Sequence, residues 1–320
     1  MPVVWKMDQS RATPLPVVRQ TRRERTLAQR IWQERTAYLL ILPAFLGYLV
    51  FWTYPVLFAF VASFAKYDNL RMAWRSDVLY NYARAFRDPM ARQAFLNVLR
   101  YTSLTLGVGQ VLALVLALAL NSLRRGTGTY RTIYYIPIVT SVVAVATIFR
   151  WLFGGDAFSP ANLLLMALTG LGPIRWLWEP NLVIPIIALV AIWIGLGFNA
   201  IIWMAGLKAI PPEFYEAARI DGATDWHQFW SITLPLLKPV AVFQVVMGFI
   251  GNMKEFGLVL TMTDGGPGGA SMTPVLMIYK YGFTRLQMGY ASALAFLLTL
   301  VLITATVLQF RLYGKTETYE

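Results

Sequence analysis

Hydropathy along the chain alternates long apolar runs with short charged connectors. The runs fall at about 38–64, 96–120, 132–153, 182–206, 236–258 and 290–312, and each comes close to the ~20 residues a helix needs to cross a hydrocarbon core. A transmembrane barrel would instead alternate apolar and polar positions along each strand. The pattern predicts an all-α, polytopic membrane protein with six transmembrane helices, because only a structure that satisfies its own backbone hydrogen bonds can span lipid. Aromatic residues stand near span ends: Trp52 and Tyr54 in the first, Tyr134, Tyr135 and Trp151 in the third, Tyr313 at the last. That is the depth at which amphipathic rings are favoured. Pro43, Pro55, Pro137 and Pro185 lie inside runs, where neighbouring helices can satisfy the carbonyls they free.

Composition agrees. Of 320 residues 57% are hydrophobic and 14% charged, with mean hydropathy +0.54, a balance foreign to a water-soluble chain. A net charge of +12 would suggest nucleic acid if it were gathered on one face, but the basic residues sit at the ends of apolar runs, where they set topology. Six spans put both termini on one side. Segments 1–36, 121–131, 208–238 and 311–320 carry 16 Lys and Arg against 9 in 65–95, 153–180 and 259–289, so both termini are expected in the cytoplasm. Residues 65–95 run against this bias, with Lys66, Arg71, Arg75, Arg84, Arg87 and Arg92 facing only Asp68, Asp77 and Asp88. No cysteine and one histidine exclude disulfides, iron–sulfur clusters and Cys/His zinc sites.

No secretory signal precedes the first run, since the first 36 residues are polar and Arg-rich. Within them Arg19–Arg35 spaces Leu27, Ile31 and Trp32 along one helix face among arginines, which suits a helix lying on the membrane surface; residues 1–18 read equally as a disordered basic tail. No internal repeat or inverted pair of broken spans is visible.

Between the fourth and fifth runs, residues 208–235 are too ordered in composition for a passive connector. Pro211 and Pro212 suit a helix start, and Glu213 and Glu216 lie in its first turns, where the helix dipole favours negative charge. Phe214, Ala217 and Ala218 give a small, partly apolar face. Gly222 permits a turn, and Thr224 or Asp225 can cap a second helix that leads through Phe229, Trp230, Ile232 and Leu234 to Pro235.

These residues resemble the EAA loop of binding-protein-dependent ABC importer permeases: Glu-Ala-Ala, three residues, Gly, nine residues, then Ile-x-Leu-Pro. Glu216, Ala217, Ala218, Gly222, Ile232, Leu234 and Pro235 fill it, and EAARIDGA at 216–223, including Asp221 and Ala223, is similar to the wording of the carbohydrate (maltose and oligosaccharide) branch. The resemblance extends over Leu79–Pro89, Phe95, Asn97, Tyr101 and Thr102, then Pro137, Trp151, Phe153 and Asn162. It continues through LTMTDGGPGGASMT at 260–273, which carries one extra residue before Gly265, to Tyr279, Phe283 and the GYASA run at 289–293.

Hydropathy and charge divide the chain into a basic cytoplasmic tail (1–36), a six-span domain (37–313) and a charged tail (314–320); the resemblance runs from about residue 38, departs at the basic tail, and makes the six-span domain a permease whose EAA loop is 208–235. It implies a carbohydrate importer in a prokaryotic cytoplasmic membrane, with a second permease subunit, an ABC ATPase dimer and an extracytoplasmic solute-binding protein as partners. The loop would dock on the ATPase, with Ala217 and Ala218 allowing close approach and Glu216 meeting a basic group. ATP and Mg would sit on the ATPase and no cofactor on this chain. Gly314-Lys315-Thr316 is no P-loop, because Gln309 stands where glycine is required. His227, beside Trp226 on the loop, reads as a contact residue. Nothing assembles a nucleophile, paired carboxylates or a metal cluster, so no enzyme is expected.

Polar residues inside spans are costly in lipid and tend to face a cavity or partner. Asn252, Glu255 and Gln244 in span five, Asn199 in span four and Thr140 with Ser141 in span three are the candidates for the substrate pathway. Asn252 and Glu255, three apart, are expected on one helical face, with Lys254 snorkelling or paired. Gly195 and Gly197 allow either a ligand or another helix to approach the backbone. Two rivals stay open: a glycerol-3-phosphate or polyol importer, which would want more clustered Arg and Lys in the pathway than Lys254 supplies, and an ion-gradient-driven transporter using Glu255.

Overall fold

The computed structural model describes residues 35–69, 71–74, 76–123 and 127–313. The sequence-predicted surface helix lies outside them except for Arg35, as does the tail at 314–320. The chain divides after Val56 into two compact units.

The first unit holds the start of helix α1 (Arg35–Ser63). Within α1, Leu49–Thr53 forms a wide π turn in which the Tyr54 amide donates to the Leu49 carbonyl. Pro55 follows, and having no N–H it cannot serve the Phe51 carbonyl, so the wide turn falls where the regular ladder must fail.

In the second unit α1 ends at Ser63 and a short antiparallel hairpin follows, β1 (Lys66–Asp68) with β2 (Arg71–Ala73), Tyr67 opposite Met72. The all-α expectation missed it, because three-residue strands carry no readable alternation. Helix α2 (Tyr80–Arg87) follows and packs against the helix at Met288–Tyr313. Buried Asn81 on α2 donates to the carbonyls of Ser63 and Ala65, each at 2.9 Å, closing the end of α1.

Helices α3 (Pro89–Ser122) and α7 (Val183–Ala209) are the long central pair. Ala113 and Ala117 of α3 are buried with Ala200, Trp203 and Met204 of α7, and Gly109 admits Ile192. The Trp203 indole donates to Gln110 at 2.9 Å across the pair. Such bonds average only about 0.6 kcal/mol in a bilayer, so close packing of small residues carries more of the pairing.

The third run, expected as one helix over 132–153, is broken. Helices α4 (Thr127–Val139) and α5 (Val142–Leu152) meet at 91° across Thr140 and Ser141. Pro137, having no N–H, leaves the Ile133 carbonyl of α4 without its helical donor, and at the end of the helix the Thr140 hydroxyl donates to the Ile136 carbonyl at 3.0 Å. Span five also departs from its expected 236–258. Helix α9 (Asp225–Leu236) bends by 59° into α10 (Lys238–Met253), which stops at Lys254. A separate α11 (Gly257–Met262) continues the apolar run. A short α12 (Pro274–Tyr279) follows, and α13 (Met288–Tyr313) is the last span. Among the described residues four helices are long and apolar enough to cross a membrane, and six spans result if each bent pair counts as one.

Between α5 and α7, helix α6 (Pro160–Thr169) carries Asn162, which is fully buried. Its amide donates to the carbonyls of Asp156 (2.8 Å), Ile174 (3.0 Å) and Gly154 (3.4 Å), and its oxygen accepts from the Ile174 amide (3.0 Å) and the Trp176 indole (2.9 Å). Each group left unsatisfied would cost about 1–3 kcal/mol. Asn162→Asp, which keeps the shape but turns the donor into an acceptor facing three carbonyls, is expected to lower thermal stability in detergent by several kcal/mol, read as a drop in the unfolding midpoint.

Candidate functional site

The EAA segment forms two helices around a tight turn. Helix α8 (Pro212–Ile220) begins at the expected prolines. It is closed by Gly222 at φ +80°, with the Gly222 amide on the Arg219 carbonyl (3.0 Å) and the Ala223 amide on the Ala218 carbonyl (2.9 Å). Left-handed closure of this kind is what a C-terminal glycine serves. The Thr224 hydroxyl accepts the His227 amide at the start of α9, as one of the two expected caps. Inside α9 a second π turn, Phe229–Thr233, stands just before Pro235, repeating the arrangement at Pro55.

Side chains lock this hairpin. The hydroxyls of Tyr215 and Thr233 share a 3.0 Å hydrogen bond, and the Gln228 amide, buried, donates to the Ala223 carbonyl at 3.0 Å. Tyr215 also packs on the buried cluster of Ala117, Leu207 and Leu237. The loop is therefore anchored to α3, α7 and the bend at Leu237. Its outer side is open: Glu216, Ala217 and Asp221 are exposed, with Ile220 at 86% and Trp226 at 71%. Trp226 stacks on Phe229, and Trp230 meets both rings edge-on. Tyr215, Gln228 and Thr233 went unread in the sequence. Thr233 occupies the variable place in Ile-x-Leu-Pro, and the only sequence signal for Tyr215 is its position beside Glu216. Tyr215→Phe is expected to loosen α8 by about 1 kcal/mol, seen as faster amide hydrogen exchange over 212–220.

The residues proposed for the pathway divide. Gln244 is buried and donates to the Asn199 carbonyl at 2.9 Å, while the Asn199 amide turns back to Gly195 at 3.0 Å. The Gln244–Asn199 bond ties α10 to α7, and the Asn199–Gly195 bond stays within α7. Gly197 is a packing glycine: a Cβ there would collide with the carbonyl group of Tyr134 on α4. Thr140 lies at the α4–α5 break and is exposed. Asn252 and Glu255 do not share a helical face, because α10 ends before Glu255. The Glu255 carboxylate instead caps α11 through the Leu258 amide (2.9 Å) and accepts the Tyr101 hydroxyl (3.3 Å), and its carbonyl accepts Thr273 (2.9 Å). Asn252 is half-buried and its side chain makes no hydrogen bond among the described residues.

The Gly-Gly-Pro segment follows as a compact loop. Asn97 on α3 donates to the carbonyls of Gly269 (2.9 Å) and Met272 (3.0 Å), Ser271 donates to Gly266 (2.6 Å), and Lys280 pairs with Asp264 at 2.9 Å. The Gly266–Pro267 peptide is cis.

This arrangement coincides with a known family. Residues 78–317 match the model for the binding-protein-dependent transport system inner membrane component. The chain belongs to this family. The permease is thus a multi-pass inner-membrane subunit of an ABC importer, in which ATP hydrolysis falls to a separate subunit. It is 34% identical over 281 residues to the arabinooligosaccharides transport system permease AraP of Bacillus subtilis, covering 87% of this chain and 88% of that one. It is 32% identical over 289 residues to the sn-glycerol-3-phosphate transport system permease UgpA of Agrobacterium fabrum, covering 88% and 96%. Its fold matches a chain of a bacterial alginate ABC transporter crystallised with its alginate pentasaccharide-bound periplasmic protein, at TM-score 0.77 and 23% identity over 92% of this chain and 100% of that one.

Proposed function

We propose that the permease moves a sugar or oligosaccharide into the cell, driven by an ATPase that docks on α8. The observation that carries this reading is the exposed small-residue face of α8, Ala217 beside Glu216, on a hairpin anchored through Tyr215 and Thr233 to the buried ends of the central helices. A rigid lever with a bare tip can receive a push and pass it to α7 and α10. ATP and Mg are bound by the ATPase, and the lever end of the bundle, with both termini, faces the cytoplasm, in keeping with the excess of Lys and Arg there. A second permease completes the pathway, and a solute-binding protein delivers substrate on the opposite side, a reading supported by the periplasmic protein crystallised with the alginate transporter. Asn252 and Thr140 line the pathway, and the Gln244–Asn199 pair and Glu255 shape its walls.

A glycerol-3-phosphate importer is the second reading, favoured by the similarity to UgpA. Proteoliposomes holding the permease, its second permease and its ATPase, supplied with the solute-binding protein, separate the readings. ATP-dependent uptake of an oligosaccharide supports the first. Uptake of glycerol-3-phosphate alone supports the second. Uptake that continues without ATP and collapses with the ion gradient refutes both.

A further inference from the structure

The positive charge of residues 65–95, which opposes the topological bias, finds a partial structural reason. Arg84 sits 4.0 Å over the Tyr290 ring and donates to Gln287 at 3.0 Å. Arg87, Arg92 and Arg100 have no such role: among the described residues none of them forms an ion pair or a side-chain hydrogen bond. All three line one groove of about 510 Å³ at the start of α3, with Gln93 and Asn97. Asp88 lines it too, its two oxygens held by the Met90 amide (2.9 Å) and the Tyr290 hydroxyl (2.8 Å), so one carboxylate stands against the guanidinium groups of Arg87, Arg92 and Arg100 and the groove stays basic.

A second groove of about 490 Å³ shares Leu96 and Arg100 with the first and runs between α3 and the start of α7. Its walls are mainly apolar, including Leu99, Leu104 and Ile184. Arg100 is exposed and stands inside the apolar run that opens at about residue 96. A bare guanidinium at that depth is costly unless an anion or water meets it. A basic polar groove thus continues into an apolar one at the membrane boundary, which is the outline of an amphiphile with an anionic head.

We propose that the two grooves hold one anionic phospholipid, its phosphate held by Arg87, Arg92 and Arg100 and an acyl chain lying along Leu99, Leu104 and Ile184. Guanidinium forks match phosphate oxygens and keep their charge at any depth. Three arginines repel the ammonium of a zwitterionic head, so a phosphoglycerol head is selected over phosphocholine. Basic pockets between transmembrane helices use this chemistry on lipid heads at the cytoplasmic side, and the three arginines offer the same chemistry at the opposite face.

The test uses the full-length permease in phosphatidylcholine nanodiscs doped with phosphatidylglycerol, with retained lipid read by native mass spectrometry. Wild type is expected to keep phosphatidylglycerol. Arg92→Gln with Arg100→Gln should weaken retention about tenfold or more, the matching Lys pair should largely restore it, and Arg71→Gln on the hairpin should leave it unchanged. Unfolding midpoints in pure phosphatidylcholine show whether the variants remain folded; if the Gln pair does not, Arg87→Gln alone carries the comparison. Equal retention by wild type and the Gln variants overturns the proposal. So does displacement of the lipid by soluble glycerol phosphate, which would make the groove a site for a free anion.

Discussion

A Gly222→Asp permease is expected to insert and fold yet lose most substrate-stimulated ATP hydrolysis in the reconstituted transporter. Gly222 closes α8 at φ +80°, and a Cβ built there meets nothing within 4 Å. The substitution therefore creates no collision. Its cost is left-handed backbone, roughly 1–2 kcal/mol, too little to unfold the bundle but enough to favour a different turn between α8 and α9. Asp also adds negative charge beside Asp221 and Asp225 on the exposed side of the loop. Glu216→Lys, on the same exposed face, is expected to uncouple by reversing the charge offered to the ATPase. Unchanged ATPase stimulation in both variants, with normal membrane levels, would remove α8 from the coupling path.

Gly197→Ala should do the opposite and damage the fold. Its Cβ would collide with the Tyr134 carbonyl group and come within 3.0 Å of the Tyr135 nitrogen. These are backbone atoms, so no rotamer change relieves the contact, and α4 would have to move off α7. Overpacking of this sort costs about 1–3 kcal/mol and sometimes more. Loss of a monodisperse peak and a large fall in the unfolding midpoint are expected. Gly195→Ala is the control, because its nearest neighbour is the flexible Asn199 amide at 3.2 Å; it should keep the wild-type midpoint. Equal behaviour of the two variants would show that α4 does not depend on the Gly197 contact.

Much of this architecture is legible in the sequence because its signals are local. Apolar runs mark the spans, and Pro212, Gly222 and Thr224 mark the helix–turn–helix of the loop by chemistry that acts within a few residues. What escaped depends on contacts distant in the chain or on hydropathy windows too coarse to register a stop. The run through Phe256 and Leu258 remains apolar after α10 has ended, so Glu255 reads as a residue within a span when it is the cap of α11. The break at Thr140 is similar, since Pro137 signals a kink but not its 91° size. Gln244 reads as a free amide in a span until Asn199, 45 residues away, is seen to accept from it. Asn97 and Asn162 were visible as family positions, yet their work in holding loops is apparent only from the carbonyls around them.

The central claim, that α8 is the surface on which the ATPase docks, is open to a direct measurement. The chain has no cysteine, so Ala217→Cys introduces a single reactive thiol at the exposed tip of the lever. Phe158→Cys, at a site 84% exposed between α5 and α6, is the matched control. In membranes containing the assembled transporter, a thiol-to-amine crosslinker is expected to join the Ala217→Cys chain to the ATPase subunit, with a yield that changes on adding ATP, while Phe158→Cys gives no ATPase adduct. An ATPase adduct from Phe158→Cys and none from Ala217→Cys would contradict the account.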